Sequence, residues 1–293
     1  MAFDGTVTRE RVRINLLGEF AFELPGGDRI GWRAGKARSL FGLLLVNRGI
    51  VVGKEQLREQ LWPDIDHPST SLKVAVHGVR KVLDAHFGAD RDFLRVEYRD
   101  FGYVMDAGLD VVVDCHELER CTLAAREAAV HGRRESAMEL YRQAAALYAG
   151  EFFCGESDDW VTEQRHWLRL TALGALDALA ESAMDTGDLI EAAAACRRIL
   201  AVDSANEAAF RRLMLIHARR GELQQAEHWY SLCARRLHEQ FELGPDHHTR
   251  ALRRRVLSGE FTPESRHPVQ HGTAGRTLRI VHAGSTNRMG SIA

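Results

Sequence analysis

The stretch Ser69-Thr70-Ser71-Leu72-Lys73-Val74-Ala75-Val76-His77-Gly78-Val79-Arg80-Lys81-Val82-Leu83-Asp84-Ala85-His86 decides how this chain folds. Placed on a helical wheel, Leu72, Ala75, Val76, Val79, Val82 and Leu83 gather on one side, within roughly 120°. Thr70, Lys73, His77, Arg80, Lys81 and Asp84 fall on the other. Between Ser69 and Leu83 there is no Asp or Glu. A helix that enters the major groove of DNA needs this division. Its apolar face anchors it to the domain, and its outer face offers Lys and Arg to phosphates and base edges. Ser and Thr at its start donate to phosphate, where the helix dipole also favours an anion. Val74 lies at the edge of the basic face, placed to touch a thymine methyl. A solvated basic face on an ordinary amphipathic helix has the same pattern, so the neighbouring elements have to decide.

Upstream, Leu57 and Leu61 point inward from a short helix over Lys54 to Leu61, which Trp62-Pro63 ends. Before it, Ala37, Leu40, Leu43 and Leu44 share one face of another helix, which stops at Asn47-Arg48-Gly49. Further upstream the period falls to two, in Val12/Ile14/Leu16 and Phe20/Phe22/Leu24. Pro25-Gly26-Gly27-Asp28 is a turn, and Ile30 with Trp32 reads as a third short strand. Downstream, Phe93, Leu94, Val96 and Tyr98, a turn at Arg99-Asp100, and Tyr103, Val104 and Met105 read as a closing hairpin. Strands, three helices and a hairpin in that order make a winged helix-turn-helix with an added N-terminal sheet. Lys36 and Arg38, at the start of the first helix, are secondary candidates for the DNA backbone, and Arg95 and Arg99, in the hairpin that forms the wing, for an adjacent minor groove. The neighbouring acids Glu97 and Asp100 make ion pairing the alternative for the hairpin arginines.

From Asp114 onward the chain reads as helix almost throughout. Gly187-Asp188-Leu189 with Ala192 recurs as Gly221-Glu222-Leu223 with Ala226, 34 residues later, and Leu179 and Leu213 match at the same offset. Gly132 with Ala137 is a looser copy. Gly at a helix-helix turn and a small residue where paired helices cross point to a tetratricopeptide-like helical repeat, which stacks and leaves a concave binding surface. The fold class is therefore an α+β winged helix followed by an all-α repeat domain. The expected divisions are residues 1–110, 111–260 and a disordered tail over 261–293.

Composition narrows the function classes. The 293 residues carry 45% hydrophobic and 27% charged side chains with a net charge of −2, ordinary for a globular protein, so charge must be read locally. No run approaches the about 18 apolar residues of a membrane span, and the start lacks a signal-peptide core. A cytoplasmic protein, nucleoid-associated when bound, is expected. Five cysteines without C-x-x-C spacing read as small residues of helical cores, not as a disulfide or zinc framework. Gly35-Lys36 lacks the other parts of a phosphate loop, since Ile30 and Ala37 stand where Gly and Ser/Thr are needed. His247-His248 and the His267/His271 pair read as exposed loop and tail residues without metal-ligand company. No enzyme, cofactor or metal is expected. An interaction adaptor, with the winged helix docking protein in place of DNA, is the competing class.

Several motifs carry a family resemblance. Val12-Arg13-Ile14-Asn15-Leu16-Leu17-Gly18, Gly35-Lys36-Ala37-Arg38-Ser39-Leu40, Glu55-Gln56-Leu57 through Leu61-Trp62, Val76 to Leu83 and Phe101-Gly102-Tyr103-Val104 resemble the Streptomyces antibiotic regulatory protein family, whose DNA-binding half is of the OmpR type. Gly150-Glu151-Phe152, Trp160 with Glu163 and Arg165, Asp203 with Asn206-Glu207, and Gly221 to Tyr230 resemble its bacterial transcriptional activator domain. The resemblance implies a pathway-specific activator of a biosynthetic gene cluster. Such a protein binds direct repeats near the promoter and recruits RNA polymerase through its σ factor. One short recognition helix reads few base pairs alone, so with the repeat domain behind it a homodimer on DNA is expected. It implies DNA contacts by Thr70, Lys73, Val74, His77, Arg80 and Lys81, and polymerase contacts by Trp62, Asp64 and Asp66 in the loop ahead of the recognition helix. Nothing here corresponds to the ATPase and sensor modules of larger members.

Overall fold

The computed structural model describes residues 11–24, 26–63, 69–87, 94–108 and 110–261, with Ser69 and Thr70 described by their backbone alone. The expected tail, Phe93 at the start of the hairpin, Asp64 and Asp66 lie outside these residues. Among the described residues no helix is long and apolar enough to cross a membrane.

Two small sheets frame the N-terminal half. β1 (Val12–Asn15) pairs antiparallel with β2 (Ala21–Glu23), Ile14 opposite Phe22. The period-2 pattern decides which side chains are buried: Val12, Ile14 and Leu16 are fully covered, while Arg13 is exposed. The expected strand at Ile30 and Trp32 is reduced to a bridge between Glu23 and Arg29 and one bond from the Ile30 N–H to the Phe22 carbonyl. Three helices follow: α1 (Lys36–Val46), α2 (Lys54–Leu61) and α3 (Ser69–Phe87). Leu72, Ala75, Val76, Val79 and Leu83 of α3 are buried, the face that the wheel assigned to the core. The two-residue strand β3 (Val52–Gly53) joins the hairpin β4 (Leu94–Arg99) and β5 (Gly102–Ala107) in the order β3-β5-β4. The hairpin turn sits at Asp100-Phe101, both left-handed (φ 46° and 64°), one residue later than expected.

β6 (Val111–Val113) pairs parallel with β1, so the first sheet runs β2-β1-β6 and is completed by chain from beyond the hairpin. Its run of three valines gave no alternation to read. β6 leads directly into the helical half: α4 (Asp114–Val130), α5 (Arg134–Leu147), α6 (Asp159–Thr186), α7 (Leu189–Val202), α8 (Glu207–Arg219), α9 (Leu223–Phe241) and α10 (His247–Leu257). Each helix of this half packs on the next. The three repeat glycines sit at the α4–α5, α6–α7 and α8–α9 turns with φ of 72°, 79° and 76° at Gly132, Gly187 and Gly221. A β-carbon is disfavoured in that conformation. The alanines five residues on, Ala137, Ala192 and Ala226, are fully buried in the following helices.

The two halves meet along a dry seam. The α5–α6 loop inserts Phe152 and Phe153, both fully buried, against the N-terminal sheet and α1. The Phe153 N–H donates to the Leu16 carbonyl at 2.6 Å and the Gly18 N–H to the Glu151 carbonyl at 3.0 Å. Arg165 holds the loop from α6, donating to the carbonyls of Phe152, Phe153 and Glu156 at 2.8–2.9 Å. On the far side, the Asp114 carboxylate accepts the N–H groups of Leu16 and Leu17 at 2.8–2.9 Å and of Cys115 at 2.7 Å. Burial holds its pKa above the ordinary carboxylate value, and those donors offset only part of the rise. Four cysteines are buried as expected. Cys154 is the exception, exposed in the α5–α6 loop outside any helix.

Candidate nucleic-acid interface

The outward face of α3 is built by elimination. Its inner residues are held by α1, α2 and β4, which leaves Lys73, Val74, His77, Arg80 and Lys81 exposed. Val74 is 64% exposed, a large value for an apolar residue on a packed helix. Lys73, His77 and Lys81 have no hydrogen-bond or ion-pair partner among the described residues, so their charge and donors are available to a ligand. Arg80 is more constrained. Its Nε and Nη2 donate to the Val96 carbonyl at 3.1 and 2.9 Å, tying the helix to β4. Thr70 lies in the first turn of α3. A groove of about 480 Å³ runs beside this face, lined by Lys36, Ala37, Trp62, Ser71, Val74, Ala75 and Gly78.

The secondary positions all have partners within the protein. Arg38 does not face outward: its guanidinium is clasped by Glu156 at 2.6 Å, both side chains only 11% exposed. It lies over the rings of Phe20 and Phe153 at 5.3 and 5.5 Å. An arginine held there cannot reach the DNA backbone. Lys36 is half-exposed, but its Nζ is bound to Asp158 at 2.7 Å, and Ser39 donates to the same carboxylate. The hairpin arginines form a closed network. Arg95 meets Glu97 at 2.9 Å and Asp106 at 3.2 Å, and Arg99 meets the same two acids at 2.6 and 2.7 Å. Two cations against two acids leave the wing with little net charge. Trp62, expected at polymerase, is 8% exposed and belongs to the core beside α3.

Phe101 and Tyr98, which the sequence marked only as parts of the hairpin, are 85% exposed at its tip and 49% exposed beneath it. Lys54 packs on Tyr98, its Nζ 2.9 Å from the hydroxyl. A large apolar residue at a left-handed turn was a usable signal, because nothing in the core required it there. The clasp by Glu156 and Asp158 was also missed. No local pattern marks acids whose partners lie about 120 positions upstream.

The fold and this face define a class, a winged-helix domain followed by a helical-repeat domain, and comparison with known proteins agrees with that architecture. Residues 113–257 match the model of the bacterial transcriptional activator domain. Regulatory protein DnrI of Streptomyces peucetius is 29% identical over 147 residues, which cover 48% of this chain and 53% of that protein. The chain thus spans about half the length of the curated relative it matches. A solved structure of Mycobacterium tuberculosis EmbR, in complex with a low-affinity phosphopeptide, superposes with a TM-score of 0.67 at 21% identity, covering 85% of this chain and 65% of that one. At that identity the likeness is one of fold. Residues 113–257, just under half of the chain, are thus similar to a bacterial transcriptional activator domain, and the chain is similar to a Streptomyces regulatory protein.

Proposed function

We propose that this protein binds promoter DNA through the outer face of α3 and activates transcription of a secondary-metabolite gene cluster. The observation that carries this reading is the basic row on α3: Lys73, His77 and Lys81, exposed and without a partner among the described residues, beside an exposed Val74, with Asp84 at the far end of the helix. Lys36, Arg38, Arg95 and Arg99, the other basic candidates of this half, are each paired with an acid, unlike this row. Lys73 and Lys81 meet phosphates, while Val74 and His77 face base edges and Thr70 starts the helix at the backbone. Two protomers on direct repeats extend a contact that one helix makes over only a few base pairs. RNA polymerase, met through its σ factor, is the partner that turns binding into activation, with Asp64 and Asp66 ahead of α3 as its candidate contacts.

The test is promoter-duplex affinity measured as a function of salt. Each phosphate contact contributes about 0.9 to the slope of log K against log salt. The double variant K73A/K81A is expected to lose about 2 units of slope while keeping its melting temperature. Wild-type protein that binds no promoter duplex of its own cluster at low salt overturns the reading and leaves the adaptor class in its place.

A further inference from the structure

At the other end of the chain a second cationic surface has no role in this scheme. α10 carries His247, His248, Arg250, Arg253, Arg254 and Arg255, with no Asp or Glu from His247 to Leu257. The histidines expected in a loop in fact form its first turn. Between α9 and α10 lies a groove of about 440 Å³ lined by Tyr230, His247, Arg250, Arg253 and Arg254. The arginines of this helix are sorted. Arg253 is held by Glu227 at 2.9 Å and lies over the Tyr230 ring at 4.3 Å. Arg255 points away, to Glu260 at 2.8 Å. Arg250 and Arg254 have no carboxylate partner among the described residues, and both are exposed. The helix N-terminus is not the attraction, because the Asp246 carboxylate already accepts the Thr249 N–H at 2.6 Å.

We infer that this groove binds phosphate groups. His247, Arg250 and Arg254 fall at positions i, i+3 and i+7, one face of the helix, in a row about 10 Å long. Two planar guanidinium forks and an imidazole converge more N–H donors than the two oxygens of a carboxylate can accept. A phosphate, with three terminal oxygens and greater charge, matches them better. The phosphate belongs either to a small phosphorylated ligand or to a nucleic-acid backbone lying outside the site that α3 reads.

The experiment uses the full chain and two probes. Pyrophosphate is titrated by calorimetry, and promoter-duplex affinity is followed against salt, for wild type, R250A/R254A and the control R255A. If a small ligand is the source, wild type binds pyrophosphate saturably and R250A/R254A weakens it at least tenfold. If nucleic acid is the source, R250A/R254A loses about 2 units of the salt slope. Either result, with R255A unchanged, supports the groove. No change in both assays overturns it, as does an equal loss in R255A, which would reduce the effect to bulk charge. The pyrophosphate arm stands whether or not α3 reads DNA, and K73A/K81A reports separately on α3.

Discussion

Arg38 and Lys73 are both cations in the N-terminal half, and their surroundings give them opposite work. Lys73 has no partner among the described residues, so its removal is expected to weaken ligand binding and not the fold. Arg38 is 11% exposed against an equally covered Glu156. Removing one partner of a buried pair strands the other charge, at a cost of about 3–5 kcal/mol. R38A is therefore expected to lose that much stability in denaturant unfolding, while the folded fraction keeps the wild-type salt slope on DNA. R38M/E156L, which removes both charges, is expected to recover most of the loss. A reduced slope in R38A would return Arg38 to the DNA backbone. His116 gives the seam a pH dependence. Its Nε2 donates to the Val46 carbonyl at 3.1 Å, and burial is the main cause holding its pKa below the ordinary 6.5. The unfolded chain thus takes up this proton at higher pH than the folded one. The contribution is complete above about pH 6.5 and is lost as pH falls towards the depressed folded value. H116Q is expected to flatten the fall in melting temperature between pH 7 and 5. An unchanged profile would place the acid sensitivity elsewhere.

At the scale of elements, the helices were legible because each carries its own signal. The inner stripe of α3, the Trp-Pro stop of α2 and the glycines that turn α4, α6 and α8 back on themselves all act within a few residues. β3 and β6 were not legible. One is two residues long and the other is three identical valines, and only their partners, β5 and β1, make them strands. The candidate site divides in the same way. The face of α3 follows from the wheel, whereas the pairing of Lys36, Arg38, Arg95 and Arg99 depends on tertiary neighbours that no local pattern announces. Gly42 of α1 shows how such a contact selects a residue. A β-carbon there would lie 2.7 Å from the Phe153 ring, closer than packing allows. G42A should therefore cost about 1–3 kcal/mol by overpacking. F153A should cost about 3–5 kcal/mol by opening a cavity. In the F153A background the clash is gone, and G42A should instead stabilise by about 0.5–1 kcal/mol, the ordinary preference of a helix interior for Ala over Gly. A thermodynamic cycle from denaturant melts reads this reversal of sign; additive effects would show that α1 and the loop do not touch.

For the whole molecule, the question is whether reader and repeat domain are two bodies on a tether or one. A division at residue 110 falls just ahead of β6, which completes the N-terminal sheet, and Asp114 binds the backbone of Leu16 and Leu17 from the first turn of α4. The α5–α6 loop then fills the other side of the winged helix with Phe152 and Phe153 and clasps the start of α1. Contacts of this kind, buried and apolar with main-chain hydrogen bonds, resemble a core more than the polar interfaces between mobile domains. Neither half retains its covered surface if the other unfolds, so the two are expected to melt together. Heating the full chain should give one transition, coincident by far-ultraviolet circular dichroism and by tryptophan fluorescence, because Trp32 and Trp62 report on the first half and Trp160 and Trp229 on the second. F153A should split or broaden that transition by weakening the loop that spans the seam from the α5–α6 side. Two well-separated transitions in the wild type would make the seam a docking contact. In that case α3 could turn independently of the repeats, and the spacing between DNA repeats would tolerate insertions of a few base pairs. A single cooperative unit predicts the opposite: each repeat domain fixes the direction of its own α3, and insertion of half a helical turn between the repeats abolishes paired binding while single-site affinity is unchanged.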